Sequence, residues 1–216
     1  MFETLAPLEA EEARLHALGV AGGPCDGGPF ESGGDDDASV EAGWPFLGQF
    51  IAHDITADRS PLVDRADPDA LRNSRTSRAN LESVYGGGPV GSPYLYERDD
   101  PARLLIGEGG ADVPRNAEGV ALIGDPRNDS HLFMNQLQVA FLRANNLLVD
   151  RLRADGEPVA SVFDEARFSL TWHYQWVLLY DFLPSLIGAE LAARLLDGGG
   201  ERLVRRATPR ARDTGI

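Results

Sequence analysis

Apolar positions along the chain fall into a few strongly periodic stretches separated by long irregular ones. Over 40–54, Trp44, Leu47 and Ile51 recur at helical spacing with Phe50 beside them, which predicts a helix with one apolar face. Residues 129–154 place Phe133, Leu137, Ala140, Phe141, Ala144 and Leu148 on one face of a long helix, with Asp129 or Asn128 able to cap its start. A second long helix is expected over 162–182. Its stripe is Phe163, Ala166, Leu170, Val177 and Tyr180, Ser161 and Asp164 make a capping-box-like start, and Pro184 lies near its end. A short helix follows at 188–196 and stops at Gly198–Gly200. Residues 1–19 carry a weaker pattern, with Leu8, Leu15 and Leu18 near one face and Glu11 and Glu12 interrupting it. Between 57 and 128 the periodicity fades into Gly- and Pro-rich stretches (GGGPVGSP at 86–93, GEGGADVP at 107–114) with short apolar pieces at Leu104–Ile106 and Val120–Ile123. So long an irregular segment wraps a core or builds a site. There is no internal repeat, and the fold class is mainly α with few or no strands.

Composition narrows this picture. The 216 residues suit one domain or slightly more, and 43% apolar with 25% charged residues is the balance of a globular protein. No apolar run approaches the ~20 residues of a membrane span. Twenty basic residues, all arginine, stand against 34 acidic ones, for a net charge of −14. A surface that acidic repels nucleic acid and anionic lipid. Cys25 is the single cysteine, which excludes an intrachain disulfide and a multi-cysteine zinc site. The first residues lack the basic and apolar regions of a secretory signal, so the expected location is cytoplasmic. Residues 1–39 read as a helix and a Gly/Pro-rich acidic loop, in which Asp35, Asp36 and Asp37 are a solvated patch or a loose cation site. Residues 40–200 form the main domain, and 201–216, with five arginines and no apolar period, form a basic tail.

Several residue sets can carry chemistry. Gln49 and His53 are four apart and project from one helix face. His53 is a proton carrier or a partly buried histidine bonded to its surroundings. Asp54, Thr56, Asp58 and Ser60 alternate oxygen side chains, but Arg59 and Arg65 stand where an EF-hand needs Gly and Glu. Thr76, Asn80 and Glu82 form a second oxygen-bearing run that could join the first around a hard cation. Gly86, Gly88 and Gly91 fit G-x-G-x-x-G, but Pro89 lies inside the match and no strand–turn–helix context surrounds it. Arg127 precedes a long helix and can hold an anion there or pair with Asp125 and Asp129. His131 and His173 sit in helical segments, as core or boundary residues or as metal ligands.

Taken in order, these pieces resemble the animal-type haem peroxidases (the peroxidase–cyclooxygenase superfamily), with the bacterial branch nearest. WPFLGQFIAHDIT is similar to the family's distal-histidine helix, RTSRANLESVYGGGPVGSPYLY to its second calcium segment, GDPRNDSHLFMNQLQVAFLRANNLLVDRL to its G-D-x-R segment, and WHYQWVLLYDFLPSLIG to its F-L-P-x-L-x-G helix. The matches span about 43–188. The resemblance implies a haem-peroxidase-like helical domain with long loops, here the N-terminal, distal part of the catalytic domain.

It further implies that His53 is the distal acid/base, Arg127 stabilises charge on the peroxide, and Gln49 orients peroxide or halide beside them. All three would face the cofactor. Asp54, Thr76, the Arg78 carbonyl, Asn80 and Glu82 match calcium ligands, with Asn80 where an aspartate is usual. Ala52, Ser130 and His131 stand where relatives link haem covalently, and none can form those links, so the implied cofactors are non-covalent haem b and calcium. Asp129 is the nearest carboxylate to these positions in sequence. The implied substrates are hydrogen peroxide and a small phenolic or halide donor. The matched position of His173 is not the iron ligand in relatives. The proximal histidine lies downstream of F-L-P-x-L-x-G, so a further C-terminal half or a partner would complete the pocket. Two other functions compete: a non-catalytic, calcium-stabilised binding module, and a fatty-acid oxygenase of the same superfamily.

Overall fold

A computed structural model describes residues 10–26, 41–58, 61 and 71–199. Leu8, the Asp35–Asp37 run, Arg59, Ser60, Arg65 and the 201–216 tail lie outside the described residues. Two units separate: one is Ala42–Leu183, and the other takes its described residues from Met1–Glu41 and Pro184–Ile216. The second unit contributes α1 (Glu12–Gly19), most of α7 (Leu183–Ile187) and α8 (Ala189–Arg194), which runs into a π-helical turn Leu195–Gly199. No residue of α1 is buried, so Leu15 and Leu18 do not form a core stripe there.

The larger unit is helical. It holds α2 (Gly43–Ile55), the single turns α3 (Glu82–Tyr85) and α4 (Gly88–Gly91), α5 (Leu132–Ala154) and α6 (Val162–Val177). Among the described residues, paired extended backbone is limited to three isolated bridges. The glycine-rich match at 86–91 coils into α4 and is not a phosphate loop between strand and helix. α2 begins with Pro45 in its first turn, where the missing N–H costs nothing. It packs against α5, and α6 runs along α5. Their meeting point is aromatic. Phe50, fully buried, stacks on Phe141 at 4.6 Å, and Tyr174 stands edge-on to both.

α5 departs from its expected pattern in two ways. Its start is capped by His131, whose Nδ1 accepts from the Met134 N–H, and neither Asp129 nor Asn128 caps it. Those two belong to a preceding 3-10 turn, Pro126–Asp129, which Asp125 caps through the Arg127 N–H. The most buried line of α5 is also half polar. Asn135, Gln138, Asn145 and Asn146 are inside with Met134, Val139, Leu142 and Val149, while Phe133 is 59% exposed and Ala140 faces solvent. The amides hold the irregular 85–128 segment, which has no sheet to satisfy its backbone. Asn146 bonds both the N–H and the C=O of Leu104 (2.9 and 2.8 Å), and Asn145 bonds the Tyr85 hydroxyl and the Ala102 carbonyl.

α6 begins without the expected capping bond. The Ser161 hydroxyl turns back to Glu157 and the Pro158 carbonyl. Its buried line is Val162, Ala166, Leu170, Thr171 and Tyr174, and Tyr180 is exposed. After Val177 the helix widens into a π turn, Leu178–Phe182, which sets the Phe182 ring against Trp44 at 5.5 Å and against Gly48. A Cβ at Gly48 would come within 3.1 Å of that ring.

If the amide line is the working core of α5, Asn146→Ala should cost more than an aromatic deletion on the expected stripe. We expect Asn146→Ala to lose about 2–4 kcal/mol, since two buried backbone groups lose their partners, and Phe133→Ala to lose about 1 kcal/mol or less. Denaturant midpoints of the two variants check this.

Candidate active site

The site is built where the end of α2 meets the turn before α5. Gln49 and His53 lie one helical turn apart, and each takes its partner from 128–131. His53 is 9% exposed, and its Nδ1 lies 2.8 Å from Asn128 Oδ1. Asn128, fully buried, donates in turn from Nδ2 to Gln138 Oε1 at 2.8 Å. Gln49 Oε1 lies 3.1 Å from His131 Nε2. Because His131 Nδ1 accepts the Met134 N–H, its Nε2 carries the proton and donates to Gln49. Phe46 stacks on Phe133 at 4.4 Å and meets the His131 ring edge-on. Ala52 and Ser130 beside them are exposed.

Arg127 meets His53 through the backbone. Its Nη2 donates to the carbonyls of His53 (3.0 Å) and Thr56 (2.6 Å), satisfying the C-terminus of α2. Its Nε and Nη2 also bond Asp125. Nη1 is its one nitrogen with no partner among the described residues. The imidazole of His53 is directed to Asn128, and the guanidinium of Arg127 to the helix end and Asp125.

Asp125 is the hub. It is 3% exposed and receives Arg127 together with Arg75 Nη2 at 2.9 Å. Burial pushes its carboxyl up, but the bonds from Arg127 and Arg75 outweigh burial and hold it at about 2. Arg75, itself buried, reaches Glu82 at 3.1 Å with its other terminal nitrogen. The two arginines thus join the loop at 75, α3, the 3-10 turn and the end of α2. Gly124 allows this closeness, since a Cβ there would lie 2.5 Å from the Ser83 carbonyl oxygen.

The oxygen-bearing residues come together in part. Asp54 is fully buried and accepts the Leu81 N–H (3.0 Å), the Ser83 N–H (3.0 Å) and the Ser83 hydroxyl (3.1 Å). It caps α3 from a distant part of the chain, because Leu81 at the cap position is left-handed (φ 57°). Burial raises its carboxyl above the ordinary aspartate value, against these bonds and Arg75. Asn80 Oδ1 is sealed from solvent with no donor, between two left-handed residues, Ala79 and Leu81. Glu82 pairs with Arg75, the Arg78 carbonyl takes the Gln175 side chain at 3.1 Å, and Thr76 is exposed. Among the described residues no three His, Cys, Asp or Glu side chains form a metal cluster.

Other candidates have local partners. Asp129 is bound by Arg115 through two nitrogens and by Asn135. Exposed His173 bonds the Ser169 carbonyl. Thr56 folds its hydroxyl back to the Ala52 carbonyl. An apolar cleft of about 410 Å³, lined by Ile51, Ile55, Leu178, Leu179 and Phe182 among others, includes none of Gln49, His53 and Arg127. Sequence reasoning missed Asn128, Gln138, Arg75 and Asp125 as site-builders. Their only signal was polar residues inside an otherwise apolar helical period and beside a glycine.

The profile of the animal haem peroxidase family matches residues 63–199, and this chain belongs to that family. The matched stretch contains Arg127, Asn128, Asn80 and Glu82, and begins after Gln49, His53 and Asp54. Among curated proteins none matches the chain. The family carries peroxidase-type oxidoreductase function on haem, and the mainly helical fold agrees with it. Among the described residues no helix is long and apolar enough to cross a membrane.

The chemistry of the residues around α2 and the turn facing it fits a flat apolar cofactor: a histidine with Nε2 unpartnered among the described residues, a hydrogen-bonded Gln49, exposed Ala52 and Ser130, and the stacked Phe46–Phe133 pair.

The two-arginine hub generates a pH prediction. Its folded carboxyl lies below the ordinary 3.8, so its stabilisation is present above that value and fades as pH falls toward about 2. We expect Asp125→Asn to cost about 3–5 kcal/mol near neutrality, and the gap from wild type to narrow between pH 4 and pH 2. Urea melts across that range measure it.

Proposed function

We propose that this chain supplies the distal side of a haem peroxidase that reduces hydrogen peroxide and oxidises small organic or halide donors. The observation that carries the reading is His53, held through Nδ1 by Asn128 with Nε2 free, one turn from a hydrogen-bonded Gln49. Haem, when bound, supplies the redox chemistry of O–O cleavage. The residues do the rest. His53 Nε2 takes the proton from the bound peroxide oxygen and returns it to the departing oxygen. Gln49 orients peroxide or halide, with its carbonyl oxygen fixed by His131 so that its amide group is presented outward. Arg127 places positive charge beside His53 through the α2 carboxyl end, and Nη1 is the nitrogen available to a developing negative charge. Haem is held without a covalent link, because Ala52, Ser130 and His131 offer no carboxylate or thioether and Asp129 is committed to Arg115.

Calcium belongs to the same reading. Asp54 and Asn80 are its core ligands, supported by the sealed, donorless Asn80 Oδ1 one residue before Leu81, whose N–H bonds the buried Asp54 carboxylate. Thr76, the Arg78 carbonyl and Glu82 complete an oxygen set of the kind a hard cation takes, Glu82 by releasing Arg75. The ion would tie the residue after His53 to the 76–82 turn and fix the helix in register.

Haem added to the purified chain should give a Soret band, and peroxide turnover once added imidazole supplies a proximal iron ligand. His53→Ala should lower turnover at least 100-fold while leaving the band in place, and Arg127→Ala should lower it too, with added loss of stability. Turnover like wild type in His53→Ala overturns the assignment. Saturating calcium should raise the melting temperature of wild type and not that of Asp54→Asn. An unchanged wild-type melt removes calcium from the reading.

A further inference from the structure

His53, Asn128 and Gln138 form a buried chain of one imidazole and two amides, and the chain has only two self-consistent arrangements. In the structure Asn128 turns its Oδ1 to His53 Nδ1 and its Nδ2 to Gln138 Oε1, each at 2.8 Å. Nδ1 then carries the proton and Nε2 is an acceptor. Turning both amides over would put an NH₂ against Nδ1, and the proton would have to sit on Nε2. A histidine in that second arrangement could not take a proton at Nε2. Asn128 and Gln138 are both fully buried, so neither amide is averaged by water. Gln138 also keeps its Nε2 sealed without a partner, a cost of about 1–3 kcal/mol that packing alone would have removed with an apolar residue. His53 Nε2, by contrast, is not among the sealed partnerless atoms.

We propose that Asn128 and Gln138 are positioning residues that set which nitrogen of His53 bears the proton. Gln138 on α5 orients the Asn128 amide, Asn128 fixes the ring and its tautomer, and the ring offers Nε2 outward. Asn128 lies next to Arg127 in the turn before α5, so one turn places the guanidinium at the helix end and the amide on the imidazole. The inference rests on the reading of His53 as a proton acceptor, but its test needs no haem.

The experiment is ¹⁵N–¹H long-range NMR of the histidine rings in the whole chain without haem, at one fixed pH where the ring is neutral. His53 is assigned by its loss in His53→Ala. We expect Nδ1–H to exceed Nε2–H by about tenfold in wild type, the ratio one hydrogen bond of ordinary strength gives. Asn128→Leu should abolish that preference, Asn128→Asp should keep it by restoring an acceptor, and Gln138→Leu should weaken it by freeing the Asn128 amide. If Asn128→Leu does not fold, Gln138→Leu and Asn128→Asp decide the matter, with circular dichroism confirming the fold of each. An Nε2–H ring in wild type, or the same nitrogen pattern in every folded variant, overturns the proposal. A chain that shows the Nδ1–H pattern but takes up no haem leaves the relay standing and removes the peroxidase reading. Haem uptake and turnover with an Nε2–H ring do the reverse.

Discussion

One buried carboxylate, Asp125, shared between two arginines, organises everything that matters here. Arg75 and Arg127 approach it from different segments, and each also binds elsewhere. Arg75 holds Glu82, and Arg127 satisfies the last carbonyls of α2. A charge in that position is costly unless fully paired. That constraint joins α2, α3, the 75–82 turn and the turn before α5 on the polar side of the apolar core they share through Phe50, Leu81, Val84 and Met134. Without it the helix that bears His53 would keep its apolar face but lose its C-terminal partners.

A second constraint is that the described residues form no sheet. The stretch from Tyr85 to Asn128 is mostly irregular, and its interior backbone groups need partners. α5 supplies them from Asn145 and Asn146, while Asn135 and Gln138 hold the side chains of Asp112, Asp129 and Asn128. This is why buried amides lie beside the expected apolar positions Leu137, Phe141, Ala144 and Leu148, which pack against the core, and why α5 can serve as scaffold and candidate site at once. Gln138 is part of the same line, and its neighbour in space is the amide that holds His53. Structure and chemistry therefore draw on one set of side chains, so deletions along α5 will disturb both.

The candidate site shows a division of roles that sequence spacing does not. Gln49 and His53 are related by helix geometry, and that relation holds in any helix. Their partners are not. His131 and Asn128 reach them because the 3-10 turn Pro126–Asp129 folds against α2, and Arg127 is drawn to the helix end by Asp125. Asp54, next to His53, turns to the other side and caps α3, where Leu81 is left-handed and has no cap of its own. Adjacent residues on one helix thus bond the turn before α5 and anchor α3.

The mainly helical class, the helix bearing Gln49 and His53, and the two long helices were legible from periodicity, because helical spacing is a local property of the chain. Family membership was legible from ordered motifs. The caps of α5 and α6, the buried polar line of α5, the exposure of Phe133 and Tyr180, and the partners of Arg127 were not. Each depends on which distant backbone group arrives beside a side chain, and a carbonyl without a partner leaves no mark in the local pattern. Local helix preference determined the scaffold. Only the packed chain decided which polar groups would be buried together, because the cost of burial falls on pairs and not on residues taken singly.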